Sequence, residues 1–139
     1  MPLSAARINV GDRHEAVVVD GLTRTQIVQY AGASGDYNPL HTDEVYAQHA
    51  GYPGVFAHGM LTMAMTARLL TDLVGDGQVR RYGVRFARQV WPGDTLTAAA
   101  IIDAIREESG QHFADFLIST KNQDGEEVLS GYATARIHS

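Results

Sequence analysis

The stretch from Ala57 to Gly75, AHGMLTMAMTARLLTDLVG, constrains the fold more than any other part of the chain. Its apolar residues (Met60, Leu61, Met63, Ala64, Met65, Ala67, Leu69, Leu70, Leu73, Val74) wrap most of a helix circumference. A helix apolar nearly all round is expected in a core. The run is too short and too interrupted to span a bilayer, so the rest of the chain must cover it. From residue 81 the period changes to two: in RYGVRFARQV, Tyr82, Val84, Phe86 and Val90 alternate with Arg81, Arg85 and Gln89. TLTAAAIIDAI follows the turn WPGD, QHFADFLIST follows REESG, and VLSGYATARI follows KNQDGEE with its Asp124-Gly125 pair. Four consecutive strands with tight connections predict an antiparallel meander. A buried helix with such a sheet around it is an α+β layer arrangement.

With 139 residues the chain is expected to be one domain, residues 1–139, long enough to bury a core. The net charge of -5 argues against nucleic-acid binding through bulk electrostatics. The absence of cysteine excludes disulfides, thiolate catalysis and cysteine-based zinc sites. The N-terminal MPLSAARINVGDRHE has no long apolar run, so neither a signal peptide nor a membrane anchor is expected, and a cytoplasmic location is the default. No repeat, low-complexity tract or linker interrupts the chain.

Ahead of the apolar helix, HEAVVVDG reads as a strand ended by Gly21. TRTQ offers a capping box, Thr23 as N-cap and Gln26 three residues on, for a helix carrying Ile27, Tyr30 and Ala31. Gly35 is placed to end it in a left-handed conformation. Pro39 forbids a continuous helix through DYNPLH. Thr42 is expected to cap a second short helix, DEVYAQHA, closed by Gly51, and GYPGVF reads as loop.

The segment SGDYNPLH places an acid, an amide and an imidazole around this break. Asp36 and His41 lie five apart, so the turn, not helical spacing, must bring them together. A carboxylate and an imidazole on one pocket form an acid/base pair. Asn38 between them can both donate and accept, which suits orienting a water or ligand. Each residue alone has a plain structural reading as an Asx-turn, a turn pair or a helix-start histidine. The balance is moved by AHGM downstream, where Gly59 would open the buried helix with an unobstructed N–H at the positive end of its dipole, a donor for a carbonyl oxygen gaining charge.

YAGASGDYNPLHTDEVYA followed by FAHGMLTMAM resembles the MaoC-like dehydratases, the family of (R)-specific enoyl-CoA hydratases, including catalytic subunits of hydroxyacyl-carrier-protein dehydratases. VRFARQVWPGDTL resembles the strand motif of the same family, so the likeness covers nearly the whole chain. It implies a hot-dog fold, a sheet wrapped around a central helix, and a homodimer or higher homo-oligomer, with a hetero-partner subunit as an alternative. By this resemblance Asp36 and His41 match the catalytic pair that activates one water. Gly59 matches the amide donor to the thioester carbonyl, and Asn38 the motif's asparagine, read as positioning the catalytic loop. The implied substrate is an acyl thioester of coenzyme A or of carrier-protein phosphopantetheine, with no separate cofactor.

Two positions depart from the family pattern. Ala67, beside Thr66, stands where some relatives carry serine, and Gln89 stands where the strand motif usually has proline. Met60 and Met63 are candidates for touching an acyl chain. No metal site is expected, because Asp36, His41, Asp43, His49 and His58 show no paired ligand spacing on one element. His58 is read as a packing or supporting residue. Arg80, Arg81, Arg85, Arg88 and Lys121 are surface charges or contacts to a CoA phosphate, and Arg88 falls on the apolar parity of its strand. Two rival functions remain: a hot-dog acyl-thioesterase, and a subunit of a hetero-oligomeric dehydratase.

Overall fold

The computed structural model describes residues 2–139. In chain order the elements are β1 (Arg13–Val19), α1 (Arg24–Ser34), a 3-10 turn (Pro39–His41), α2 (Glu44–His49), α3 (Gly59–Val74), β2 (Val79–Phe86), β3 (Leu96–Glu108), β4 (Gln111–Lys121) and β5 (Glu127–Ile137). The strands form one antiparallel sheet in the order β1-β3-β4-β5-β2, with α3 packed against it. This is the hot-dog arrangement.

The expected four-strand meander is corrected at one connection. β3, β4 and β5 do pair consecutively, but β2 pairs with β5 and β1 takes the place beside β3. The segment between β2 and β3 therefore crosses from one edge of the sheet towards the other. It is held on the way by backbone bonds from Ala57 to the Val90 carbonyl and from Leu22 to the Asp94 carbonyl, both 2.8 Å. WPGD is thus part of a crossover and not a hairpin turn. The β3–β4 connection is a true two-residue hairpin. Glu108 pairs with Gln111, and Ser109 and Gly110 both take positive φ, 51° and 78°, as a type I′ turn requires.

The inner face of the sheet explains how α3 fits. Ala98, Ala100, Ala114, Ala133 and Ala135 are all buried, and side chains this short let the helix approach closely while Leu61, Leu69, Leu70 and Val74 fill the layer. One face of the helix departs from the expectation of burial all round. Met60, Ala64, Arg68 and Asp72, four apart, form an exposed ridge, with Met60 55% exposed. A sheet covers one side of a helix, so apolar residues on the far side stay uncovered within a single chain.

Two polar contacts fix α3 inside this shell. The Tyr82 hydroxyl on β2 donates to the Met63 carbonyl at 2.7 Å, and burial pushes its phenol up to about 12. Thr66, fully buried, bonds Thr120 on β4 through their hydroxyls at 2.7 Å. No helix among the described residues is long and apolar enough to cross a membrane.

The capping box is present as read: the Thr23 side chain accepts from the Gln26 N–H at 3.0 Å, and the Gln26 side chain accepts from the Thr23 N–H at 2.9 Å. Gly35 ends α1 at φ 78°. The cap of α2 is Asp43, not Thr42, because the Asp43 carboxylate accepts from the Tyr46 N–H at 3.1 Å. Thr42 ends the preceding 3-10 turn instead, and α2 stops at His49 with Ala50 as its C-cap, one residue before Gly51.

The threonine pair yields a prediction about stability. Thr66→Val leaves the Thr120 hydroxyl buried without its partner and should cost about 1–3 kcal/mol in urea unfolding. The double variant Thr66→Val/Thr120→Val removes both groups and should recover most of that loss. Alkaline stability has a definite sign as well. The neutral Tyr82 phenol is favoured in the fold, so its contribution is intact below the ordinary tyrosine value of about 10 and is lost as pH rises towards 12. Tyr82→Phe should flatten the fall in stability across that window.

Candidate active site

The loop that carries Asp36, Asn38 and His41 is built from short-range hydrogen bonds. The Asp36 N–H donates to Ser34 Oγ at 3.2 Å, and the Asn38 N–H donates to Asp36 Oδ1 at 3.2 Å, an Asx-turn. Asn38 is the N-cap of the 3-10 turn, its Oδ1 accepting from the Leu40 N–H at 3.0 Å, and Pro39 at the first position of that turn has no N–H to satisfy. The Asn38 side-chain carbonyl is thus committed to shaping the loop.

Longer-range bonds join this loop to the strip that leads into α3. His41 Nδ1–H donates to the Phe56 carbonyl at 2.7 Å. A carbonyl can only accept, so a proton sits on Nδ1, and in the neutral ring the lone pair is then on Nε2. The Phe56 ring meets the His41 ring edge-on, with centroids 5.2 Å apart. In the opposite sense, His58 Nε2–H donates to the backbone carbonyl of Asp36 at 3.0 Å. The His58 ring stacks on His41, with centroids 3.8 Å apart and planes 24° apart. Asp36 and His41, five apart across the proline, are thereby gathered at the start of α3.

A carboxylate oxygen of Asp36 and a ring nitrogen from each of His41 and His58 all lie within 4.8 Å of one another. Such a gap suits one bridging water, since two hydrogen bonds of about 2.8 Å at the tetrahedral angle span about 4.5 Å. As a metal site the trio is poorly arranged. The in-plane lone pairs of two rings with centroids 3.8 Å apart and planes only 24° apart lie in nearly parallel planes, a poor arrangement for meeting one ion at about 2.0–2.1 Å. Exposure divides the roles further: Asp36 faces solvent, His41 is half-buried and His58 is only 2% exposed.

Gly59 opens α3, where the N–H has no carbonyl one turn back to bond. A cleft of about 250 Å³ lies beside it, lined by residues including Phe56, Thr62, Phe86 and Val90. A Cβ at Gly59 would stand 3.2 Å from the Phe86 ring, so the glycine keeps that approach open. Met60 points away, half-exposed on the outer ridge, and does not line the cleft. Thr66 is turned into the core towards Thr120, and Ala67 beside it carries no polar group, so this stretch of α3 offers no hydroxyl to the acid/base pair. Arg88 escapes the apolar parity because β2 ends at Phe86; it pairs with Glu126 at 3.0 Å.

Two participants left no signal in the sequence. Phe56 acts through its main-chain carbonyl, which any residue would supply. Tyr30, whose ring meets His58 edge-on at 4.9 Å, reads in sequence as part of the apolar face of α1.

Removing the loop's cap should be measurable. Asn38→Ala is expected to lose about 0.5–2 kcal/mol in chemical unfolding, while Asn38→Asp, which keeps the acceptor for the Leu40 N–H, should lose much less.

Comparison with known proteins comes to the same place. The family model for the MaoC like domain matches residues 7–116. Fatty acid synthase subunit beta of Aspergillus oryzae is 37% identical over 109 residues, 75% of this chain but 5% of that protein. The 3-hydroxyacyl-thioester dehydratase Y of Mycobacterium tuberculosis is 34% identical over 121 residues, 84% of this chain and 40% of its own length. The chain thus spans well under half of these curated relatives. The structure of an (R)-hydratase from A. caviae involved in PHA biosynthesis superposes with a TM-score of 0.85 at 25% identity, covering 96% of this chain and 99% of that one.

Proposed function

The chain belongs to the MaoC-like domain family, and from that premise we propose that it is an (R)-specific enoyl-thioester hydratase, equivalently a 3-hydroxyacyl-thioester dehydratase. The observation that carries the reading is the tautomer of His41: with Nδ1–H tied to the Phe56 carbonyl, Nε2 is the acceptor of a neutral ring that lies close to the Asp36 carboxylate.

In the hydration direction, one water is held between His41 Nε2 and Asp36. As its oxygen bonds to C3 of a trans-2-enoyl thioester, the pair takes one water proton and C2 receives one on the same face. One water is added and the protonation of the pair is restored. The electrons of the double bond pass towards the thioester carbonyl oxygen, whose growing charge is stabilised by a hydrogen bond donated from the Gly59 N–H at the helix N-terminus. Proton transfer by a positioned group is typically worth about 10²–10⁴-fold, and one oxyanion donor about 10²–10³-fold. The reaction calls for no separate cofactor, and coenzyme A or phosphopantetheine enters as the handle of the substrate. The (R) outcome at C3 rests on the family relationship.

An oligomer fits the same reading. The cleft beside Gly59 is open, and Met60 and Phe86 are 55% and 46% exposed, so a second hot-dog chain, a further copy or a related subunit, is expected to complete the substrate channel. Light scattering should report at least twice the mass of 15.1 kDa.

The enzymatic test uses crotonyl-CoA and a longer trans-2-enoyl-CoA, following the enoyl-thioester absorbance together with free thiol. Loss of the band without thiol is the expected result, whereas thiol release would make the protein a thioesterase. Asp36→Asn and His41→Gln should each lower kcat by at least about 10²-fold with fold and oligomer intact. Near-normal rates in both variants would overturn the site.

A further inference from the structure

His58 is buried to 2% exposure, yet its Nδ1 has no hydrogen-bond partner. A buried polar atom left unpaired is a cost that an apolar aromatic residue would not carry. Phenylalanine could stack on His41 and meet Tyr30 edge-on as histidine does. What phenylalanine cannot do is donate, and the bond that His58 alone supplies runs from Nε2–H to the Asp36 carbonyl.

That bond has an unusual place in the loop. The other hydrogen bonds of residues 35–38 are local: Gly35 N–H to the Ala31 carbonyl, Asp36 to Ser34, Asn38 to Asp36, and the Asn38 carbonyl and side chain to His41 and Leu40. A loop held only by its nearest neighbours keeps its shape but not its position. His58 fixes the Asp36 backbone to the N-cap of α3, one residue before Gly59. Its ring also forms the floor under the His41 imidazole. Acid, base and amide donor are thereby referred to one buried side chain.

We propose that His58 is the positioning residue of the site, setting the Asp36 carboxylate at its working distance from His41 through the Nε2–H bond to the Asp36 carbonyl. The inference rests on the hydratase reading for its kinetic consequence but not for its structural one. A misplacement of about 1 Å at a reacting group can cost about 10²-fold in rate.

The test compares three substitutions by two measurements. His58→Phe keeps a ring and loses the donor. His58→Gln keeps a donor near the Nε2 position and loses the ring. His58→Asn has an amide that ends short of the Asp36 carbonyl, and it decides the matter should the Phe variant fail to fold. Hydrogen exchange at the Asn38 and Leu40 amides reports loop fixation independently of activity. It should quicken about tenfold in His58→Phe and His58→Asn and remain near wild type in His58→Gln. On crotonyl-CoA the first two should lose about 10–100-fold in kcat with KM within about twofold, and His58→Gln should recover most of the rate. Unchanged exchange in the Phe and Asn variants, or a His58→Gln variant as impaired as they are, overturns the proposal. Wild-type silence on every enoyl thioester would instead remove the hydratase reading, with the exchange comparison still deciding the role of His58.

Discussion

The site depends on a reciprocal clip between the loop and 3-10 turn that carry Asp36 and His41 and the irregular strip that leads into α3. His41 donates from Nδ1 to the Phe56 carbonyl, and His58 donates from Nε2 to the Asp36 carbonyl. A weaker backbone bond from the Phe56 N–H to the Leu40 carbonyl, at 3.4 Å, lies between them. Each histidine satisfies the other segment's backbone, and the two rings stack across the join. The consequence is chemical as well as structural. A bond that holds a proton on Nδ1 makes Nε2 the acceptor of the neutral ring, so the fold selects the tautomer of His41.

The clip works because one partner is anchored to the buried central helix. Ala57 and His58 are buried and lead straight into α3, which the alanine-lined sheet holds close. The Tyr82–Met63 and Thr66–Thr120 bonds hinder α3 from sliding or rotating in its trough. The Asp36–His41 loop takes its local shape from Asp36, Asn38 and Pro39, and is joined to a core element through His58. Preorganisation of this kind lets solvent-facing groups such as Asp36 act at a defined distance.

The chain is less complete as an apolar object than its sequence implies. Met60 and Ala64 begin a ridge of α3 that the sheet does not reach, and Phe86 lies over Gly59 with nearly half of its surface open. Phe86 borders the cleft beside Gly59, whereas Met60 and Ala64 lie outside it, and covering these exposed groups would be favourable at roughly 25 cal/mol per Å² of apolar area.

The sequence by itself determined the elements. Local rules decide these: a capping box at Thr23 and Gln26, a left-handed stop at Gly35, a proline break, an apolar helix opened by glycine, and period-two strands. Asp36 and His41 were legible as a pair because the motif around them resembles a family pattern, and Thr42 was mistaken for the cap of α2 because two adjacent residues could each have served. Tertiary structure alone decided the strand order, which sends β2 to the far edge, and the burial of only one face of α3. It also decided the place of His58, buried beneath the His41 ring and bonded to the Asp36 carbonyl. Those features depend on contacts between residues far apart in the chain, and the periodicity of a segment says which face is apolar but not what will cover it.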